Sequence, residues 1–291
     1  MVEHASLGSR LATWGMSVFL LLVAGLMLFP FLYVFSISFS TFEDVARGGV
    51  ILWPENWSLD AYRYVLGSSV MTRAIGVSIF LATVGTMVNL FMTTTMAYAL
   101  ASPHLKARKF FLVLVLIPIL FGPGMIPRFL VVRATGLLDS VWALILPTAI
   151  SAFYLIVMRN FFMGIPRDLH DAAELDGASD LRILWDVVLP LSKPILAAIG
   201  LFYAVGHWNS YFNAVLYIND PSKWPVQVLL RLVVIQGQAD AYGGGNFDTL
   251  PPPAFTVQMA TVIIATVPIL IVYPFLQKHF TKGMLTGSIK G

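Results

Sequence analysis

Six apolar runs alternate with polar segments along the chain, at residues 11–36, 74–100, 110–125, 141–158, 194–218 and 254–276. Each is near the ~20 residues that a helix needs to cross a bilayer. The pattern predicts an all-α polytopic membrane protein, a single domain over residues 1–291 with six transmembrane helices. The first run follows Arg10 and resembles a signal sequence only superficially. It is too long for the apolar core of a leader and lacks a small-x-small cleavage site, so it reads as an uncleaved span that Pro30 kinks at its outer end. Asn89, several threonines and Tyr98 interrupt the second run, which suits packing against other helices. The third run is broken near its end by Pro118, Gly122, Pro123 and Gly124. Such a break survives in a membrane only where protein or a water-filled cavity satisfies the freed backbone. It is either a first hint of a pathway or a span that exits at Gly122.

The polar segments differ in kind. Residues 41–73 carry Glu43, Asp44, Arg47, Glu55, Asp60, Arg63 and Arg73 around Gly48-Gly49 and Pro54, and read as irregular chain. The loop at 219–253 ends in three glycines beside three prolines, a tip that no helix or strand would hold. Residues 159–193 are a polar island with a helical period of their own. Pro166, Asp168 and Asp171 suit a helix start. Leu169, Ala172 and Ala173 give that helix a small apolar face. Gly177 ends it, and Ser179 is placed to cap a second helix whose stripe is Leu181, Leu184, Trp185 and Val188. The island predicts a helix-turn-helix outside the bilayer, with one short helix that another protein can approach closely.

Composition narrows the function. Only 11% of the 291 residues are charged and 58% are hydrophobic, against about 25% charged in a soluble domain. A net charge of +3 is too weak to suggest nucleic acid, and without cysteine there is no disulfide or thiolate chemistry. The five histidines show no metal-site spacing, and no glycine-lysine pair makes a phosphate-binding loop. With the N-terminus inside, eleven of the eighteen Lys and Arg residues fall on inner segments, most sharply at Lys106, Arg108 and Lys109. That orientation makes 159–193 and both termini cytoplasmic and makes 219–253 extracytoplasmic.

The order of residues in the island carries a resemblance. Asp171-Ala172-Ala173, three variable positions, Gly177, nine further positions, Val187 and then Leu189-Pro190 resemble the EAA loop of ABC importer permeases. The chain has Asp171 where glutamate is usual and Val187 where isoleucine is usual. The likeness covers nearly the whole chain. Pro54-x-x-Trp57-x-Leu59-x-x-Tyr62, Gly136-Leu137-Leu138-Asp139 and Trp208-Asn209-Ser210-Tyr211 are similar to the carbohydrate-importing branch. The segment from Tyr273 to Phe280, with the ending Gly287-Ser288-Ile289-Lys290-Gly291, looks like the sub-branch that imports oligosaccharides or uronic-acid oligomers.

The resemblance implies the type I ABC importer transmembrane fold in the bacterial inner membrane. This chain would form half of a pore with a second homologous permease. Two ATPase subunits would consume ATP and Mg below, while this chain binds no cofactor and is not an enzyme. An extracytoplasmic solute-binding protein would deliver an oligosaccharide above, possible cargoes including alginate and pectin fragments. Asp171, Ala172, Ala173, Glu174, Asp176, Gly177, Leu189 and Pro190 would couple to the ATPase. Tyr242, Gly243, Gly244, Gly245, Asn246 and Phe247 correspond to the loop that relatives insert into the binding protein's cleft.

His207, Trp208, Asn209, Tyr211 and Asn213 cluster in the fifth run. A polar cluster at membrane depth faces a cavity, pairs internally or belongs to an interfacial aromatic belt. As pathway lining, it offers aromatic faces to sugar C–H surfaces and amides to hydroxyls. Arg128 and Arg133 face outward near the broken third run, where they are placed to dock an acidic partner or attract an anionic sugar. The alternative from another class is an ion-coupled secondary transporter. It requires ionisable groups inside the spans, and His207 is nearly the only one. A membrane enzyme finds no paired acids or serine–histidine arrangement there.

Overall fold

The computed structural model describes residues 7–235, 237 and 254–287. All of its regular elements are helices, and the only extended pairing among the described residues is an isolated bridge between Ser40 and Trp57. The chain divides into two compact units, residues 1–69 with 230–266, and residues 70–229 with 267–291.

In the first unit, helix α1 (Leu7–Ser38) continues through Pro30. From Thr13 to Ser38 it is apolar enough to cross a membrane, and its most apolar stretch is exposed. Lipid or another subunit must cover it. Its end is different. Ser36, Ile37 and Ser38 are buried, and Ser38 Oγ lies 2.8 Å from the Tyr62 hydroxyl. Two short helices, α2 (Phe42–Ala46) and α3 (Asp60–Gly67), stand where irregular chain was expected. Thr41 caps α2, accepting a bond from the Asp44 amide. The Pro-x-x-Trp segment folds back onto α1. Trp57 packs on Phe35 and Phe39, Tyr62 on Phe39, and Ser58 N–H donates to the Phe39 carbonyl.

The second unit is built on one long span, Ser69–Ala101, comprising α4 (Ser69–Phe80), a π-turn (Leu81–Gly85) and α5 (Thr86–Ala101). Helices α8 (Ala152–Met163) and α12 (Lys193–Trp208) pack against α5, and α6 (Arg108–Leu120) packs against α8. The core shared by these helices includes Leu100, Val115, Leu155, Met158, Phe162, Ile199 and Tyr203.

The spans are less regular than the apolar runs. Among the described residues, three helices are long and apolar enough to cross a membrane, or up to five if each of two bent pairs counts as one. The 141–158 run is a 3-10 segment, Val141–Thr148, bent by 50° from α8. Helix α6 has 13 residues, short of the ~20 for a crossing. It stops at the Gly122-Pro123-Gly124 break, where Gly124 adopts φ +74°, and α7 (Met125–Ala134) follows. The 194–218 run splits into α12 and α13 (Phe212–Tyr217). The break at Gly122-Pro123-Gly124 was marked by its residue types, whereas hydropathy alone is blind to the other two, because a broken span is as greasy as a continuous one. Helices α14 (Val226–Val234) and α15 (Ala254–Gly287) complete the described chain.

Candidate functional site

The polar island folds as a helix, a tight turn and a second helix. Helix α9 (Arg167–Leu175) begins after Pro166, which occupies the cap position rather than the first turn. Gly177 sits at φ +77°. Its N–H donates to Glu174 C=O and the Ala178 N–H donates to Ala173 C=O, both at 3.0 Å. This is the Schellman arrangement, which satisfies the last carbonyls of a helix and requires a left-handed residue at this position. Ser179 then starts α10 (Asp180–Ile183) from an extended conformation, without a side-chain capping bond.

In the second helix a π-turn at Leu184–Val188 precedes α11 (Leu189–Leu191). Leu184 and Val188 of the expected stripe are buried together with Ile183, whereas Leu181 and Trp185 are exposed. Ile183, Leu184 and Val188 belong to the same core as Leu155 and Met158, with Ala173, Ala178 and Leu189 packed partly against it. The Tyr98 hydroxyl donates to the Asp180 carbonyl at 3.1 Å. The chain then bends by 84° into α12. Pro190 is exposed near this bend and Ser192 is buried within it.

The base of the element is thus rooted in the helix bundle while its tip is bare. Asp171, Ala172, Glu174, Asp176 and Gly177 are exposed. Leu169 is also exposed, Leu175 is 89% exposed and Leu181 68%. Single exposed leucines are ordinary. Two of them on a short acidic helix, with a third just past its rigid turn, make a surface suited to another protein. A cavity of about 190 Å³ lies beside α9, lined by Tyr98, Arg108, Met163, His170, Asp171 and Glu174 among others.

The cluster from His207 to Asn213 is divided by the structure. His207 and Trp208 are buried at the end of α12, and Asn209, Ser210 and Tyr211 form the break before α13, which carries Asn213. His207 Nε2 lies 3.4 Å from Asn89 Oδ1, and its ring lies directly on Gly85. A Cβ at Gly85 would be 2.7 Å from Nε2, so glycine is what lets the two helices meet there.

Two residues that periodicity does not mark complete the arrangement. Asn89 Nδ2 donates to the Thr148 carbonyl at 3.0 Å, and the Tyr203 hydroxyl accepts from Ser151 N–H at 2.9 Å while contacting Thr93 Oγ1 at 2.8 Å. Thr148 and Ser151 flank the bend before α8, so these side chains supply the partners that the interrupted backbone lacks. The polar threonine-rich character of the second run was the available signal.

At the other end of this unit, Asp139 joins two turns. It sits at φ +58°, and its carboxylate accepts from the N–H groups of Asn219 and Asp220, with Lys223 Nζ at 3.3 Å. The Asp220 N–H, helped by Lys223, holds the Asp139 carboxyl below its ordinary range despite some desolvation. Tyr242, Gly243, Gly244, Gly245, Asn246 and Phe247 lie outside the described residues, and so does the ending Ser288–Gly291. No group of three or more His, Asp or Glu residues placed to hold a metal occurs among the described residues.

Residues 74–286 match the family model for binding-protein-dependent transport system inner membrane components. The chain belongs to this family. Among its curated relatives it is 50% identical over 269 residues to protein LplC of Bacillus subtilis, covering 92% of this chain and 91% of that one. It is 49% identical over 278 residues to the polygalacturonan/rhamnogalacturonan transport system permease protein YtcP of the same organism, covering 94% and 96%. The structure superposes with a TM-score of 0.87 and 34% identity on a chain from the crystal structure of a bacterial ABC transporter involved in the import of the acidic polysaccharide alginate, covering 94% of this chain and 98% of that one. The chain is therefore a membrane-embedded transport permease with the type I importer fold, and the work of ATP hydrolysis falls to other subunits.

Proposed function

We propose that this permease forms half the pore of an ATP-driven importer of acidic oligosaccharides, with fragments of pectin or alginate as its class of cargo. A second homologous permease completes the pore, and two ATPase subunits bind ATP and Mg. An extracytoplasmic solute-binding protein delivers the sugar. Both termini and the α9–α10 element face the cytoplasm, and the 219–253 loop faces the binding protein. Membrane lipid surrounds the assembly, and nucleic acid has no part in it.

The observation that carries the proposal is the construction of the α9–α10 element. Its root shares a core with the transmembrane helices through Ile183, Leu184 and Val188, while Leu175 at its tip is bare. A push delivered at the tip is transmitted to packed helices rather than absorbed by a loose loop. The acidic preference is supported by the cargo named for the pectin-related relative and for the alginate transporter. The pathway runs past Asn209, Tyr211 and Asn213, framed by His207 and Trp208.

The test is uptake into proteoliposomes holding the permease pair and the ATPase, with the binding protein outside and trigalacturonate as cargo. Accumulation that requires both ATP and the binding protein is expected. Accumulation driven by a proton or sodium gradient without ATP would establish the ion-coupled alternative instead.

A further inference from the structure

Two helix breaks in the second unit meet at one cavity of about 260 Å³. Gly122, Pro123 and Gly124 form one wall, Met125 and Arg128 of α7 another, and Phe212, Asn213 and Tyr217 of α13 contribute most of the rest. The first turn of the ten-residue α7 has no capping side chain, because its cap residue is Gly124. Pro127 provides no N–H, so the Met125 and Ile126 amides are the open donors at a positive helix end.

The cavity's polar groups are free to meet a ligand. The exposed Arg128 and half-buried Asn213 side chains have no hydrogen-bond or ion-pair partner among the described residues. Tyr217 is only 1% exposed, and its hydroxyl is buried without a partner although its ring stacks on Phe129. Native proteins rarely leave a buried hydroxyl unpaired unless something else fills its place. No acidic side chain lines the cavity to neutralise Arg128.

These groups describe a ligand. A helix N-terminus and a guanidinium together call for an anion, and the planar fork of arginine matches a carboxylate. An amide and a phenol beside it suit sugar hydroxyls. Phe212 and Met125, both largely exposed, offer apolar surface to the C–H face of a ring. The volume is a little below the ~300–1,000 Å³ of typical small-molecule sites, which suits one unit of a chain rather than a whole oligomer.

We infer that this cavity is a subsite for a single hexuronate unit, with its carboxylate held by Arg128 and the α7 amides and its hydroxyls by Asn213 and Tyr217. The inference rests on the importer reading and adds that this half of the pore itself selects for acidic sugar. Helix breaks in transporters present such termini to anionic groups, and the Gly-Pro-Gly break does so here.

The experiment uses the complete reconstituted importer, with initial uptake rates of trigalacturonate and of its fully methyl-esterified, neutral counterpart normalised to the ATPase that co-purifies. Arg128→Gln is expected to lower the rate for the acid trimer about tenfold, the scale of a lost charged hydrogen bond, and to leave the ester within twofold. Arg128→Lys, which keeps the charge without the fork, should fall between wild type and Arg128→Gln for the acid. Tyr217→Phe should slow both trimers, because it removes a hydroxyl contact that both share. The subsite is overturned if Arg128→Gln leaves the acid rate unchanged or lowers both rates equally. A wild-type importer that moves the ester as fast as the acid also overturns it, with the importer reading intact. A wild-type complex that moves neither trimer under ATP removes the importer reading and the subsite together.

Discussion

Gly85 and His207 show how one missing side chain decides a helix contact. The imidazole occupies the space that a Cβ on residue 85 would need. Gly85→Ala is expected to cost about 1–3 kcal/mol in unfolding measurements in detergent, the scale of an overpacked core. Gly85→Ala combined with His207→Ala should recover most of that loss, and a double-mutant cycle measures the coupling. Tyr203→Phe is a different kind of change. It strips the partner from the Ser151 N–H and from Thr93, and about 1–3 kcal/mol is the expected loss for leaving buried polar groups unpaired. The cluster at 207–213 was legible in the sequence as an anomaly of polarity at membrane depth. Its division was not legible, because the Asn89 and Gly85 contacts join positions more than a hundred residues apart and no local pattern encodes them.

At the scale of elements, α9 and its turn were readable because their chemistry is local. A glycine after a short amphipathic helix forms the Schellman turn from its own neighbours. Gly177→Asp forces an acidic side chain into a φ of +77°, at about 1–2 kcal/mol for the left-handed backbone. The variant should reach the membrane in normal amount yet lose most transport, as compared by immunoblot and uptake on the same cells. The periodic reading of the second helix was half right, since Leu184 and Val188 are buried as expected, while Ile183 replaces Leu181 and Trp185 on the buried face. The early end of α6 was legible, because Gly122, Pro123 and Gly124 mark the break in the sequence, and the helix stops just before them.

The Asp139 latch is also an element-scale device, and it has a pH signature. Its folded pKa lies below the ordinary value of ~3.9, so its contribution is present at neutral pH and is lost as pH falls below about 4 toward the folded value. Asp139→Asn keeps an acceptor and a residue type that tolerates positive φ but removes the charge facing Lys223. Wild type should melt higher than Asp139→Asn at pH 7, and the gap should narrow in thermal scans as the pH is lowered through the acid range. A gap independent of pH would assign the latch to its hydrogen bonds alone.

For the whole molecule, the separation of root and tip in the α9–α10 element is the feature on which the proposed coupling to an ATPase rests. The helices hold its base in their core, and its tip presents Leu175 and Leu181 to whatever binds there. The natural chain has no cysteine, so a single introduced thiol reports one position without background. The most direct measurement is cross-linking and maleimide labelling of a Leu175→Cys variant in the assembled complex. A cross-link to the ATPase subunit, and loss of labelling when that subunit is present, are expected. Equal labelling of Leu175→Cys with and without the ATPase, and no cross-link, would contradict it.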